Sequence, residues 1–303
     1  MKVVIAGATG FLGEPLARAL AADGHDIVIL TRRAGAPRGA SGARFLTWRP
    51  GAGPGPWAAE IDGAAAVLNL AGESIAARRW SNSQKQRILD SRVQATRTLA
   101  EAIRGASRPP AVFVSGSAVG YYGPRGDEAV TEEQPPGSDF LAKVCAAWEG
   151  EAVQAGPVTR VVCIRTGLVI ENGGGALPRM VLPFKFGAGG PLGSGRQYMP
   201  WIHRDDWVTL VRWTIATPAA DGPINATAPN PVTNAEFSRA LGRALHRPSF
   251  MPAPAFALRL ALGEMADALL LSGQRAVPAK AERLGFRFRF TQLDEALRAI
   301  FSK

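Results

Sequence analysis

The opening stretch Met1-Lys-Val-Val-Ile-Ala-Gly7-Ala-Thr9-Gly10-Phe11-Leu12-Gly13 joins an apolar run to three glycines and then to a helical pattern. Lys2 to Ala6 read as a buried strand, and Gly7 permits the tight turn that follows. Gly10 lets the backbone, with Thr9, Phe11 and Leu12 beside it, approach a phosphate without an intervening Cβ. Gly13 lets a helix that begins near Phe11 pack closely on the sheet, and that helix start offers free N–H groups to an anion. Leu16 and Leu20 continue the helix and Ile27 to Leu30 form a second strand, so strand, glycine triplet, helix and strand fall in one unit. The combination predicts a dinucleotide-binding βαβ unit.

The end of the second strand bears on which dinucleotide binds. An acidic residue there would hydrogen-bond the ribose 2′-hydroxyl, whereas arginine accommodates a 2′-phosphate. The strand ends Leu30-Thr31-Arg32-Arg33, and no carboxylate follows before Glu60. Two guanidiniums, each a planar fork of donors, therefore favour NADP(H) over NAD(H). The plainer alternative is that one or both arginines solvate a loop of an arginine-rich chain.

At 303 residues the chain can hold one large α/β domain, or a dinucleotide domain with a smaller lobe. The 35 Lys and Arg exceed the 25 Asp and Glu by ten, yet no basic run exceeds two residues. The charge reads as attraction for anionic ligands rather than for nucleic acid. Cys145 and Cys163 have no paired spacing and read as reduced core thiols. His25, His203 and His246 are scattered without cysteine partners, so no metal site is expected. The N-terminal apolar run is too short for a signal peptide, and no stretch reaches membrane-spanning length. A soluble, cytoplasmic protein is expected.

Further apolar runs at 44–48, 65–70, 111–115 and 159–170 alternate with helical patterns, the signature of a doubly wound parallel sheet. Ser81 to Arg104 reads as a long helix with Ser81 as N-cap. After residue 170 glycine and proline break the alternation, predicting a smaller lobe over 171–246. A Rossmann-type domain over 1–170 with returning elements around 203–228 precedes it, and a helical C-terminal appendage over 247–303 follows. Asp206 to Ala216 and Thr233 to Leu245 are expected helices, the second capped by Thr233 with Glu236 three residues on. The alternation Phe286-Arg287-Phe288-Arg289-Phe290 predicts a short half-buried strand.

The fifth strand runs Ala111-Val-Phe-Val-Ser115-Gly-Ser117-Ala-Val-Gly-Tyr121-Tyr122-Gly123 to the carboxyl edge of the sheet, where ligands of such folds bind. With the glycine triplet, Asn69-Leu70-Ala71-Gly72, Glu132 with Pro135, and Lys143, it resembles the extended short-chain dehydrogenase/reductase superfamily. Arg79-Trp80 with Lys85, Ser91-Arg92, Asp139-Phe140-Leu141-Ala142 with Trp148-Glu149, Met199 to His203, and Asn225 to Thr233 resemble an atypical branch of it. That branch is the epimerase family protein, or sugar-nucleotide epimerase-like, group, which carries an extra C-terminal domain. The resemblance spans essentially the whole chain.

The resemblance implies a cofactor site of the glycine loop, Arg32, Arg33, Leu70, Ala71, Gly72, Ser115 and Lys143. In the superfamily a Tyr-x-x-x-Lys pair does the proton chemistry, the lysine holding the nicotinamide ribose and lowering the tyrosine pKa. Here Lys143 remains but Asp139 stands four residues before it, a poor proton donor at neutral pH. Tyr121 or Tyr122 could supply a phenol, with Ser117 orienting the substrate, and His203 is a further acid/base candidate; each could equally be a packing or bracing residue. Arg78, Trp80, Ser117, Arg196, Gln197 and Trp201 are the candidate substrate contacts, suited to an anionic or sugar-like small molecule. The expected function is an NADP(H)-dependent oxidoreductase or epimerase-like enzyme working by hydride transfer, with a non-catalytic NADP(H) sensor as the alternative. The family further implies a homodimer formed through the helices at 81–104 and 138–155.

Overall fold

A computed structural model describes residues 1–32 and 42–302. Seven parallel strands form the central sheet: β1 (Lys2–Ala6), β2 (Asp26–Thr31), β3 (Arg44–Thr47), β4 (Ala66–Asn69), β5 (Val112–Ala118), β6 (Arg160–Thr166) and β7 (Gly222–Ala226). Their spatial order is β7-β6-β5-β4-β1-β2-β3. The chain winds outward from β1 to β3 and then returns to place β4 on the other side of β1. The crevice between β1 and β4 is thus the switch point at which such sheets bind ligands.

Both faces of the sheet are covered, which explains why its strands read as continuous apolar runs. Val3, Ile5, Ile27, Ile29, Leu68 and Val114 face one layer, made by α1 (Gly13–Ala22) and the later helix Arg204–Ala216. Val4, Val28, Leu30, Val67 and Phe113 face the other, made by α2 (Asn82–Arg104) and α3 (Phe140–Val153). Ser81 caps α2 by accepting the N–H of Gln84, and Thr233 with Glu236 forms a reciprocal capping box on helix Asn234–Leu245. The run at 159–170 divides into β6 and a separate strand, Leu168–Ile170, which pairs with Trp201–His203.

The later lobe and the C-terminal segment share one core. Ile170, Leu177, Val181, Phe184, Phe237 and Leu241 pack with Phe290, Leu293, Leu297 and Ile300. The alternating segment 286–290 is not a strand. Phe286 enters the main core and Phe290 the lobe core, while the backbone N–H groups of Arg289 and Phe290 are taken by the buried Asp206 carboxylate, each at 2.9 Å. A side-chain acceptor replaces the ladder partner that a strand would have needed.

Asp206→Ala should therefore destabilise the protein by about 1–3 kcal/mol, because one buried and one part-buried N–H lose their acceptor. Urea unfolding checks this, and a cost below about 0.5 kcal/mol would show that packing alone holds the segment.

Candidate functional site

The glycine loop is built as its chemistry requires. Gly7 has φ +84°, and a Cβ there would lie 2.6 Å from the Leu70 carbonyl carbon. A Cβ at Gly13 would lie 2.3 Å from the Gly7 oxygen, so α1 starts in close contact with the turn. Among the described residues, a Cβ at Gly10 would meet only the Gly7 oxygen, at 3.5 Å, and the outer side of the loop is open. The N–H groups of Phe11 and Leu12 have no acceptor among the described residues, and α1 begins just beyond them at Gly13. Close backbone approach, an open outer side and free donors at a helix start fit a pyrophosphate.

Around that loop, Phe11 lies under Gly174 and Gly175, where a Cβ would clash with its ring, and the Arg204 guanidinium lies 5.8 Å from the ring centroid. Arg32 is exposed at the end of β2, and Arg33 falls outside the described residues. Ala71 donates its N–H to the Asn69 side chain, Leu70 packs on the core, and Gly72 is exposed beside Arg92. Ser115 is fully buried, its hydroxyl donating to the Gly116 carbonyl at 3.3 Å.

The end of β5 opens into a buried polar network. The Ser117 hydroxyl donates to Glu149 at 2.6 Å, and Arg165 of β6 binds the same carboxylate through Nε and Nη2, both at 2.8 Å. Arg165 Nη1 donates to the Tyr122 oxygen at 2.9 Å and to the Glu132 carbonyl at 3.2 Å. Tyr122 in turn donates to Asn225 of β7 at 2.7 Å. The Glu132 carboxylate accepts the backbone N–H groups of Asn225 and Lys280. Burial alone would lower the Arg165 pKa, but the Glu149 carboxylate outweighs it and holds the pKa above its ordinary value. Burial pushes the Tyr122 phenol up to about 12.

This network corrects several expectations. Tyr122 is fully buried with its hydroxyl engaged on both sides, so its phenol does not face the crevice. Tyr121 is half-buried, with the Arg165 guanidinium 3.5 Å from its ring centroid. Lys143 stands on the exposed side of α3. At 3.6 residues per turn it lies roughly 160° around the helix from both Leu141 and Cys145. Leu141 lies against Gly120, and the buried Cys145 thiol interacts with Ser117. Burial, with the Glu149 charge, pushes that thiol up to about 12 and keeps it neutral. Asp139 is the N-cap of α3, accepting the Ala142 N–H at 2.8 Å, so the helix begins after the position expected to carry the tyrosine.

On the opposite wall, Trp201 is fully buried in the lobe core with its indole N–H on the Asn230 carbonyl, and so cannot touch a substrate. Gln197 spends its amide N–H groups on the Leu192 and Leu270 carbonyls, leaving its buried oxygen without a donor. His203 is buried against Phe290, and its Nδ1 accepts the Asp205 N–H as N-cap of the helix Arg204–Ala216. Arg78 and Arg196 are exposed, and Trp80 donates to the Ile75 carbonyl with its ring on Phe140. The sequence reading missed Arg165. A lone arginine directly after the apolar run Val161 to Ile164 implies a buried carboxylate, but not which one.

A model of the NAD dependent epimerase/dehydratase family matches residues 3–226, and a domain of unknown function matches 253–300. The chain belongs to the NAD dependent epimerase/dehydratase family. It is 43% identical over 302 residues to the epimerase family protein SDR39U1 homolog, chloroplastic, of Arabidopsis thaliana, covering 99% of this chain and 86% of that one. It is 36% identical to the epimerase family protein SDR39U1 of Homo sapiens, over 99% of both. The crystal structure of human SDR39U1 (isoform2) with NADPH superposes with TM-score 0.91 at 35% identity, covering 100% of each chain. Among the described residues no helix is long and apolar enough to cross a membrane.

Two substitutions probe the network. Glu149→Gln, which leaves Arg165 buried without a countercharge, should cost about 3–5 kcal/mol, and Tyr122→Phe about 1–3 kcal/mol. The Tyr122 pKa is raised on folding, so this group's share of stability falls as pH climbs from the ordinary 10.0 through about 12. Tyr122→Phe should flatten the alkaline decline in urea-measured stability across that window; an unchanged slope would place the titration elsewhere.

Proposed function

We propose that this chain binds NADP(H) and is an oxidoreductase or epimerase-like enzyme acting by hydride transfer on a small anionic or sugar-like hydroxyl or carbonyl compound. The observation that carries the reading is the glycine loop, closely packed inward, open outward and bearing unpaired backbone donors. Exposed Arg32, at a strand end without a carboxylate in sequence before Glu60, supports the 2′-phosphate. The bound nicotinamide supplies or takes the hydride. The chain's part is to hold the dinucleotide, to orient the substrate and to exchange a proton. With Tyr122 engaged, Lys143 outward and His203 capping a helix, Tyr121 is the remaining candidate for proton exchange from β5, held in orientation by Arg165. Ser117, whose proton lies toward Glu149, can still accept a hydrogen bond from substrate.

A second reading, an NADP(H) sensor without turnover, is favoured by Leu141 and Cys145 on the inner side of α3, neither of which can serve as a proton donor at neutral pH. The α2–α3 surface is the proposed homodimer face.

NADPH should bind more tightly than NADH, and Arg32→Ala should weaken NADPH by about tenfold while leaving NADH unchanged. Fluorescence titration checks both, and equal affinities for the two cofactors would remove the NADP(H) assignment. Oxidation of bound NADPH by members of a panel of aldehydes, quinones and nucleotide sugars, lost in Tyr121→Phe, would support the enzyme. Tight binding with no turnover across the panel would favour the sensor.

A further inference from the structure

The inner side of α3 carries no cation near Ser117, but α2 supplies one. Arg92 leaves α2 and lies against the loop after β4: a Cβ on Gly72 would sit 3.2 Å from its guanidinium carbon. Its other flank is the indole of Trp148 on α3, 5.1 Å from guanidinium carbon to ring centroid. Cys145 is close enough to interact electrostatically. The ring of Trp148 in turn lies against Gly116 of β5, where a Cβ would meet it at 2.8 Å. Arg92 therefore sits among the ends of β4 and β5 and the inner side of α3.

The hydrogen bonding of this guanidinium is incomplete. Nη1 donates to the Glu73 and Ile88 carbonyls, both at 3.0 Å. Among the described residues Nε and Nη2 have no acceptor and no carboxylate lies within ion-pair distance, although the Glu73 side chain acts on the group electrostatically. In the neighbouring Trp148 the buried indole N–H likewise has no partner among the described residues. A half-buried guanidinium whose Nε and Nη2 are unspent and open to solvent, stacked beside the Trp148 indole, is placed to meet acceptor oxygens.

We propose that Arg92 is the group that holds the nicotinamide ribose, its free Nε and Nη2 donating to the ribose hydroxyls in place of an ammonium from α3. The inference rests on the dinucleotide reading above. Arg92 is a positioning residue: a guanidinium stays protonated in proteins, so it fixes the ribose without relaying a proton.

The test uses the full chain and two ligands: NADPH, and adenosine 2′,5′-bisphosphate, which has no second ribose. Arg92→Met should weaken NADPH by at least about tenfold and change the bisphosphate by less than about twofold. Arg92→Lys keeps the stem and the charge but not the fork; it should show the same selective loss, smaller in size, and carries the test if the methionine variant fails to fold. Lys143→Met should leave both affinities unchanged. Equal weakening of both ligands in the Arg92 variants, no weakening of either, or a loss in Lys143→Met matching that in Arg92→Met would overturn the proposal. So would wild-type protein that binds the bisphosphate no less tightly than NADPH. Wild-type protein that binds neither would instead remove the dinucleotide reading, and the inference with it.

Discussion

The contact between Arg165 and Glu149 is the constraint on which the centre of the molecule depends. Both groups are buried, and a charge removed from water is tolerated only where partner and hydrogen bonds are complete. Completing them fixes Ser117 through one carboxylate oxygen, Tyr122 through Nη1, and Tyr121 by stacking. Strand β5, helix α3 and strand β6 are thereby locked at one point, the carboxyl edge of the sheet. The same demand decides which hydroxyls are free for chemistry, since those of Ser117 and Tyr122 are already donating.

The network also explains why the C-terminal segment belongs to the fold. From Tyr122 it passes through Asn225 to the Val277 carbonyl, and from Glu132 to the backbone of Lys280. Asp206 makes a second tie, to Arg289 and Phe290, and the shared apolar core makes a third. Three attachments of different chemistry run from the sheet and its lobe into the segment after residue 270. The polar groups of Asn225 and Glu132 find partners in it.

The fold was legible in sequence because its signals are local. The strand, the glycine triplet, the helix and the second strand follow one another, and Gly13 answers to the nearby Gly7–Ala8 backbone, although the close contact at Gly7 is with the distant Leu70–Ala71 backbone. Ser81 and the Thr233–Glu236 box were readable for the same reason. The phase of α3 was not. The spacing of Asp139 and Lys143 matches a familiar pair, but spacing fixes only that two residues share a side, and not which side faces the sheet. The apolar and small residues Leu141, Cys145, Trp148 and Ala152 carry the inward side, and Lys143 falls opposite them. Trp201 was misread similarly: an aromatic in a glycine-rich stretch resembles a ligand wall, yet it is drawn into the core, while His203 takes the bracing role its sequence reading had left open, as the cap of a helix.

An outward Lys143 changes what the crevice can be. In a tyrosine–lysine site one ammonium both holds the ribose and lowers a phenol pKa, so binding and proton transfer are tied to one charge. Here the inner side of α3 carries Leu141 and Cys145 where such a cation would stand. Arg165 stacks on Tyr121 while committed to Glu149, and Arg92 stands some way off between Gly72 and Trp148 with donors to spare. Neither guanidinium gives up a proton at neutral pH, so any acid or base in the crevice must be an uncharged group tuned by them or a group of the substrate itself.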